Sequence, residues 1–261
     1  MIKTFRRHPA RLQLGLMLAL TFSTGVIDAV GYLGLDRVFT GNMTGNVVIL
    51  GMALMGADGL PVIGPSIALV TFMVGALIAG HVLRSIPSGW TTRSTALFTF
   101  VAVILTTISL MTFVVDDLPE FLALTATALL GAAMGIQAGT ARHIAVKDVT
   151  TVVVTSTITG LAADSWLGGR TGQPWARRAG AVVLILAGAA LGAFTLTVHI
   201  GLAIGVAAII TVTVAVLGHI GRPTVPAATE IDAVSSHPRG RRFRKGVTRT
   251  TPKSPISVGR P

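Results

Sequence analysis

The chain has 261 residues, 51% of them hydrophobic and only 12% charged, with a mean hydropathy of +0.75. A soluble domain carries about 25% charged residues, so this composition belongs in lipid. The formal charge of +11 and the absence of cysteine exclude an anionic chain, disulfides, thiolate metal sites and cysteine nucleophiles.

The N-terminal residues 1–11 carry four Lys/Arg and no acid. Lys3, Arg6 and Arg7 then lead into an apolar run over 12–33, as in a signal peptide. The run continues past Thr21-Phe22-Ser23 without a small-residue cleavage site, so it reads as a first membrane helix. It holds one acid, Asp28. Next comes Phe39 to Gly51, F-T-G-N-M-T-G-N-V-V-I-L-G, which opens a short apolar run over 46–57. Spanning runs follow at 62–84, 95–115 and 119–141, the last carrying Gln137 roughly where Asp28 stood. About 111 residues after the first motif, Thr150 to Gly160 reads T-T-V-V-V-T-S-T-I-T-G and opens a second short run, roughly 152–164. Two more spanning runs, 179–199 and 201–219, precede a Pro-, Ser-, Thr- and Arg-rich segment with no apolar period, which reads as a disordered tail.

Six of these runs reach the ~20 apolar residues that crossing requires, whereas ~11 residues cover only about half of a ~30 Å hydrocarbon core. Loop charges say whether the short runs cross. If they do not, Arg84 and Arg93 fall inside, and so do Arg142, Lys147, Arg170, Arg177, Arg178 and both basic tails. Asp116, Asp117 and Glu120 then fall outside. That arrangement obeys the positive-inside rule throughout, and the alternative inverts it. The excess charge lies wholly on residues 1–11 and 222–261, so nucleic acid is not the expected partner; anionic lipid is. Trp90, Trp166 and Trp175 all fall in inside segments and are expected in an interfacial belt.

The expected fold is an all-α polytopic membrane protein with six spanning helices and two re-entrant half-helix hairpins. Residues 1–11 form a cytoplasmic N-terminus and 220–261 a cytoplasmic tail. Residues 12–115 and 119–219 form a 3+3 inverted repeat, the plan of many channels and secondary transporters. The two halves share little sequence beyond T-G-N against T-S-T, Asp28 against Gln137, and Gly75-Ala76-Leu77 against Gly188-Ala189-Ala190.

Backbone that is not helical at membrane depth is tolerated only where protein buries it or a cavity wets it. The first short run begins with Thr40, Asn42, Thr44 and Asn46, with Gly41 and Gly45 allowing tight turns. Thr44 or Asn42 is the expected N-cap. The second run brings Thr155, Ser156 and Thr157 to the same depth. Two helix N-termini facing each other favour an anion or the acceptor atoms of a polar solute; alternatively, these residues only cap structural hairpins. Asp28 is the one acid well inside a spanning run and so a functional candidate. It acts either as a proton acceptor in coupled transport or as a fixed strut holding the first hairpin. The candidate site is therefore Asp28, Asn42, Thr44, Gly45, Asn46, Gln137, Thr155, Ser156 and Thr157. His81 and His199 lie near helix ends and read as wet interfacial residues. Gly75, Ala79 and Gly80, and Gly188 with Gly192, have the small-residue spacing of close helix packing, which also suits a homo-oligomer. No phosphate loop, metal-ligand cluster or serine–histidine pairing stands out, and a second intramembrane acid for aspartyl chemistry is missing. Neither a cofactor nor catalysis is expected.

The stretch G-V-I-D-A-V-G-Y with F-T-G-N-M-T-G-N-V-V-I-L-G, and M-G-I-Q-A-G with T-T-V-V-V-T-S-T, resembles the uncharacterised YoaK-like family of bacterial inner-membrane proteins over about 12–219. Ser156 and Thr157 depart from the T-G-T expected there. The resemblance implies a polytopic inner-membrane protein and no particular activity. The expected function is a transporter or facilitator of a small polar or anionic solute. The alternatives are a passive channel of the same architecture and a scaffold acting through its basic tail.

Overall fold

The computed structural model describes residues 9–57, 59–115, 118–144, 154–165, 168–169 and 175–222. Both basic tails apart from residues 9–11 and Arg222, and residues 150–153 of the second motif, lie outside them. All regular structure among the described residues is helical: α1 (Pro9–Gly34), α2 (Met43–Leu54), α3 (Ile63–Leu83), α4 (Thr92–Val114), α5 (Glu120–Ile144), α6 (Val154–Ala163), α7 (Trp175–Leu196) and α8 (Ile200–Gly221). Six of them, α1, α3, α4, α5, α7 and α8, are long and apolar enough to cross a membrane; α2 and α6 are the two short ones. The chain is a multi-pass membrane protein.

Local chemistry sets several of the boundaries. Thr91 caps α4 through a reciprocal pair with Ser94, each side chain bonding the other residue's backbone N–H. His199 caps α8, its Nδ1 accepting from Gly201 N at 2.9 Å, while its ring stacks on Phe113 at 4.4 Å. Within the spans, threonine hydroxyls are satisfied by their own helix: Thr21, Thr24, Thr140 and Thr211 each donate to the carbonyl four residues earlier. These hydroxyls therefore cost little in an apolar surround.

Packing is pairwise. Helix α1 lies against α7 and α8, α5 lies against α3 and α4, α4 packs on α8, and the short helices α2 and α6 rest on α3 and α7. Small residues set the two tightest crossings. A Cβ at Gly188 would strike the Phe22 carbonyl, and one at Gly25 the backbone of Ile185 and Ala189. On the other pair, a Cβ at Gly75 would strike the Ala132 carbonyl, and one at Gly135 the backbone of Phe72 and Ala76. Backbones this close gain dispersion contacts that larger side chains would prevent. Gly192 and Ala79 join the same seams, whereas Gly80 has no neighbour there. One core cluster holds Val26, Ile27, Val30, Leu105, Leu130, Ile136 and Ile204; another holds Leu16, Met17, Leu20, Trp90, Phe98 and Val214. Val70, Met73 and Leu77 on α3, and Val183, Leu186 and Phe194 on α7, are exposed, as on a lipid-facing wall.

One expectation fails here. Trp90 is not on an exposed belt: it is 5% exposed, packs its ring tilted against Phe98 at 5.3 Å and fills the slot left by Gly218. Its indole N–H is satisfied by Thr95 Oγ1 at 3.0 Å, which is what allows it to be buried. Trp175 is exposed, and Trp166 lies outside the described residues.

Candidate functional site

The site begins with a chain reversal. After Gly34 ends α1, Asp36 and Arg37 both take left-handed backbone, at φ 59° and 56°. This is sterically costly for residues other than glycine, and the surroundings must hold it in place. Arg37 is anchored by donation to the Gly59 carbonyl at 3.0 Å, and Val38 N donates to the Gly31 carbonyl at 3.2 Å. The chain then runs back along α1, over Gly31, where any Cβ would strike the Val38 carbonyl. It passes Thr24 and Asp28 at Gly41 with the same lack of room.

There the carboxylate of Asp28 meets it. Oδ1 accepts from three successive backbone N–H groups: Thr40 at 3.0 Å, Gly41 at 2.7 Å and Asn42 at 3.3 Å. These amides lie just ahead of α2, where backbone donors lack helical partners. Asn42 is the cap, its Oδ1 accepting from Gly45 N at 3.3 Å. Asn46 holds the loop from the other side, accepting from Phe39 N at 2.9 Å and donating to Phe39 O at 2.6 Å. Of the two sequence readings of Asp28, the strut is the one this geometry displays. Six residues separate Asp28 from the end of α1, so α2 starts about 9 Å back along that helix.

Beside this loop lies a cavity of about 700 Å³ whose wall draws on four helices and the 38–42 turn: Asp28 and Tyr32 from α1, Phe39 and Asn42 from the turn, Thr44, Gly45, Val48 and Ile49 from α2, Val154 and Thr155 from α6, and Ile185 from α7. The first turns of both short helices thus face one space. Five sequence candidates are on its wall: Asp28, Asn42, Thr44, Gly45 and Thr155. Four are not among its lining residues. Asn46 is buried in its clamp on Phe39. Gln137 is 1% exposed and donates through Nε2 to Thr24 Oγ1 at 3.1 Å, leaving its Oε1 without a partner. Ser156 and Thr157 continue α6 away from the wall.

The sequence reading missed Tyr32 and Phe39, whose rings stack 4.9 Å apart at the wall. One signal was available for Tyr32, since it is the single tyrosine of the chain and follows Asp28 by four residues, on the same helix face. The second short helix is fastened at its far end. Asp164 and Arg178 form an ion pair at 2.6 Å between the end of α6 and the start of α7, and the guanidinium lies over Gly160.

The family model described as protein of unknown function, DUF1275, matches residues 16–217. The chain belongs to that family. It is 30% identical over 150 residues to the UPF0700 transmembrane protein YoaK of Bacillus subtilis (strain 168), a match covering 57% of this chain and 65% of that one. The chain therefore spans just under two thirds of the length of that relative. The resemblance seen in the two motifs is borne out, and the DUF1275 match takes in four spans whole, most of α1 and α8, the described turn and the cavity. No solved structure matches.

Proposed function

We propose that this DUF1275 member is a transporter or facilitator of a small polar solute in the bacterial inner membrane, with its site between the first turns of the two short helices. The observation that carries this reading is the shared cavity, which residues of α2 and α6 line together with the acid of the first span. A structural hairpin has no need of a cavity this size beside polar groups. The solute reading also fits better than catalysis, because among the described residues the wall presents one carboxylate and no nucleophile–base pair.

On this reading α2 and α6 are re-entrant, entering from opposite faces, and both termini are cytoplasmic. The return of the chain along α1 to Asp28 supports the first hairpin. An inverted repeat is supported by the packing scheme: exchanging α1–α4 with α5–α8 maps each helix contact onto itself or onto another of the set. The tight crossings correspond as well, Gly188 on Phe22 with Gly75 on Ala132. In that register Gly25 matches Gly135, so Gln137 matches Ile27 rather than Asp28. One helical position is about 100° of rotation, and Gln137 accordingly faces Thr24 of α1 instead of the cavity.

Sided labelling tests the reading. Single cysteines replace Thr44 and Thr155, which are exposed on the cavity wall, in a chain free of native cysteine. Gly45 is unsuitable because a Cβ there would meet the Phe39 ring at 2.6 Å. A membrane-impermeant maleimide is expected to reach Thr44→Cys from outside and Thr155→Cys from inside. Inert cysteines at both positions in folded protein would defeat the transport reading and favour the scaffold.

A further inference from the structure

We infer that the cavity takes a small organic cation, an ammonium- or guanidinium-bearing solute, and discriminates against anions. This rests on the transport reading and narrows its substrate class. The sequence pattern alone points toward an anion or the acceptor atoms of a polar solute, since helix N-termini attract negative charge. At the entrance of α2 the structure shows that attraction already used within the chain. The N–H groups of Thr40, Gly41 and Asn42 all donate to Asp28 Oδ1. Met43 N donates to the Gly41 carbonyl, Gly45 N to Asn42 Oδ1, and Asn46 N to the Asn42 carbonyl. The entrance of α2 therefore carries its own carboxylate, and an incoming anion would meet a negative group where the motif suggested a positive one.

What the wall offers instead suits a cation. Among the described residues of the wall, Asp28 is the one charged side chain. Only Oδ1 of that carboxylate takes the three backbone donors, so Oδ2 is not bound by them. The stacked Tyr32 and Phe39 rings add π surface to the same wall, and Tyr32 is 40% exposed. Aromatic faces next to a carboxylate attract quaternary and protonated amines through the ring quadrupole and the charge together. The hydroxyls of Thr44 and Thr155 supply further acceptors for N–H donors.

Two thiol reagents of similar size and opposite charge test this on Thr155→Cys in the full chain reconstituted in neutral-lipid vesicles: trimethylammonium-ethyl and sulfonato-ethyl methanethiosulfonate. Their rate ratio is read against the same ratio for free 2-mercaptoethanol. The expected result is a cation preference of about tenfold beyond the free thiol, the order of effect one unit charge exerts across several ångströms of partly wet protein. The preference should fall when Asp28→Asn removes the charge but keeps an acceptor for the loop. It should also fall in ~1 M salt, a readout that needs no folded variant. Equal rates, or an anion preference, overturn the cation assignment while leaving the cavity as a wet site. A preference that survives both Asp28→Asn and salt overturns the role given to Asp28. No reaction with either reagent in folded protein, with reaction after denaturation, defeats the transport reading itself.

Discussion

The anchoring of the 40–42 loop by Asp28 makes a quantitative prediction. Asp28→Ala deletes the one acceptor that serves the amides of Thr40, Gly41 and Asn42. Thr40 and Gly41 are buried, so their N–H groups lose a charged partner and find no water, while Asn42 is exposed and can rehydrate. Hydrogen bonds to a charged group contribute about 1.5–3 kcal/mol each, and an orphaned buried donor carries a comparable penalty. Two such losses plus a fraction of the third give about 3–7 kcal/mol. Asp28→Asn retains an acceptor oxygen without the charge and should cost about 1–2 kcal/mol. The assay is denaturant unfolding of the purified full chain in detergent micelles, with amide hydrogen exchange at residues 40–42 as the local readout. Exchange at those amides should accelerate most in Asp28→Ala. A stability loss under about 0.5 kcal/mol, or Asp28→Ala and Asp28→Asn behaving alike, would refute the strut.

Three further outcomes follow from the packing. Gly75→Leu and Gly188→Leu should each lower stability by about 2–3 kcal/mol through overpacking, while Gly51→Leu, with open space around it, stays within about 0.5 kcal/mol; unfolding titrations of the three compare them directly. Gln137→Met gives up one bond to Thr24 but also removes an orphaned buried acceptor, so its stability should change by less than about 1 kcal/mol, again read by denaturant unfolding. Asp164→Asn should loosen α6 from α7 and speed labelling of Thr155→Cys several-fold. The exchanged pair Asp164→Arg with Arg178→Asp should restore the slower rate, and failure of that exchange would show the ion pair is not what fastens the helix.

Much of the fold was legible because one property dominates it. Length and apolarity mark six spans, and the two runs too short to cross appear as α2 and α6. The cap at Asn42 was legible for the same local reason, a short polar side chain placed ahead of an apolar run. The site was legible only in part. Asp28 stood out as an intramembrane acid, but its role depends on the reversal at Asp36 and Arg37, which adopt a backbone that glycine would ordinarily signal. Without that reversal, no pattern places residues 40–42 on Oδ1. Gln137 is buried against Thr24 and is not among the residues lining the cavity, a placement that its likeness to Asp28 in the motif does not reveal. Trp90 was misread for a different reason: belt statistics describe surface residues, and the slot opposite Gly218 exists only once α8 is packed.

Transport through this site requires the first turns of the two short helices to face each other across one space. Thr44→Cys and Thr155→Cys in the same chain, treated in native membranes with a bifunctional methanethiosulfonate spanning roughly the width of the cavity, ask this directly. Thr44→Cys with Val183→Cys, on the exposed face of α7, serves as the comparison. Rapid intramolecular cross-linking of the first pair and little of the second is the expected result. Equal yields, or no cross-link between Thr44→Cys and Thr155→Cys when each alone reacts, would contradict that arrangement.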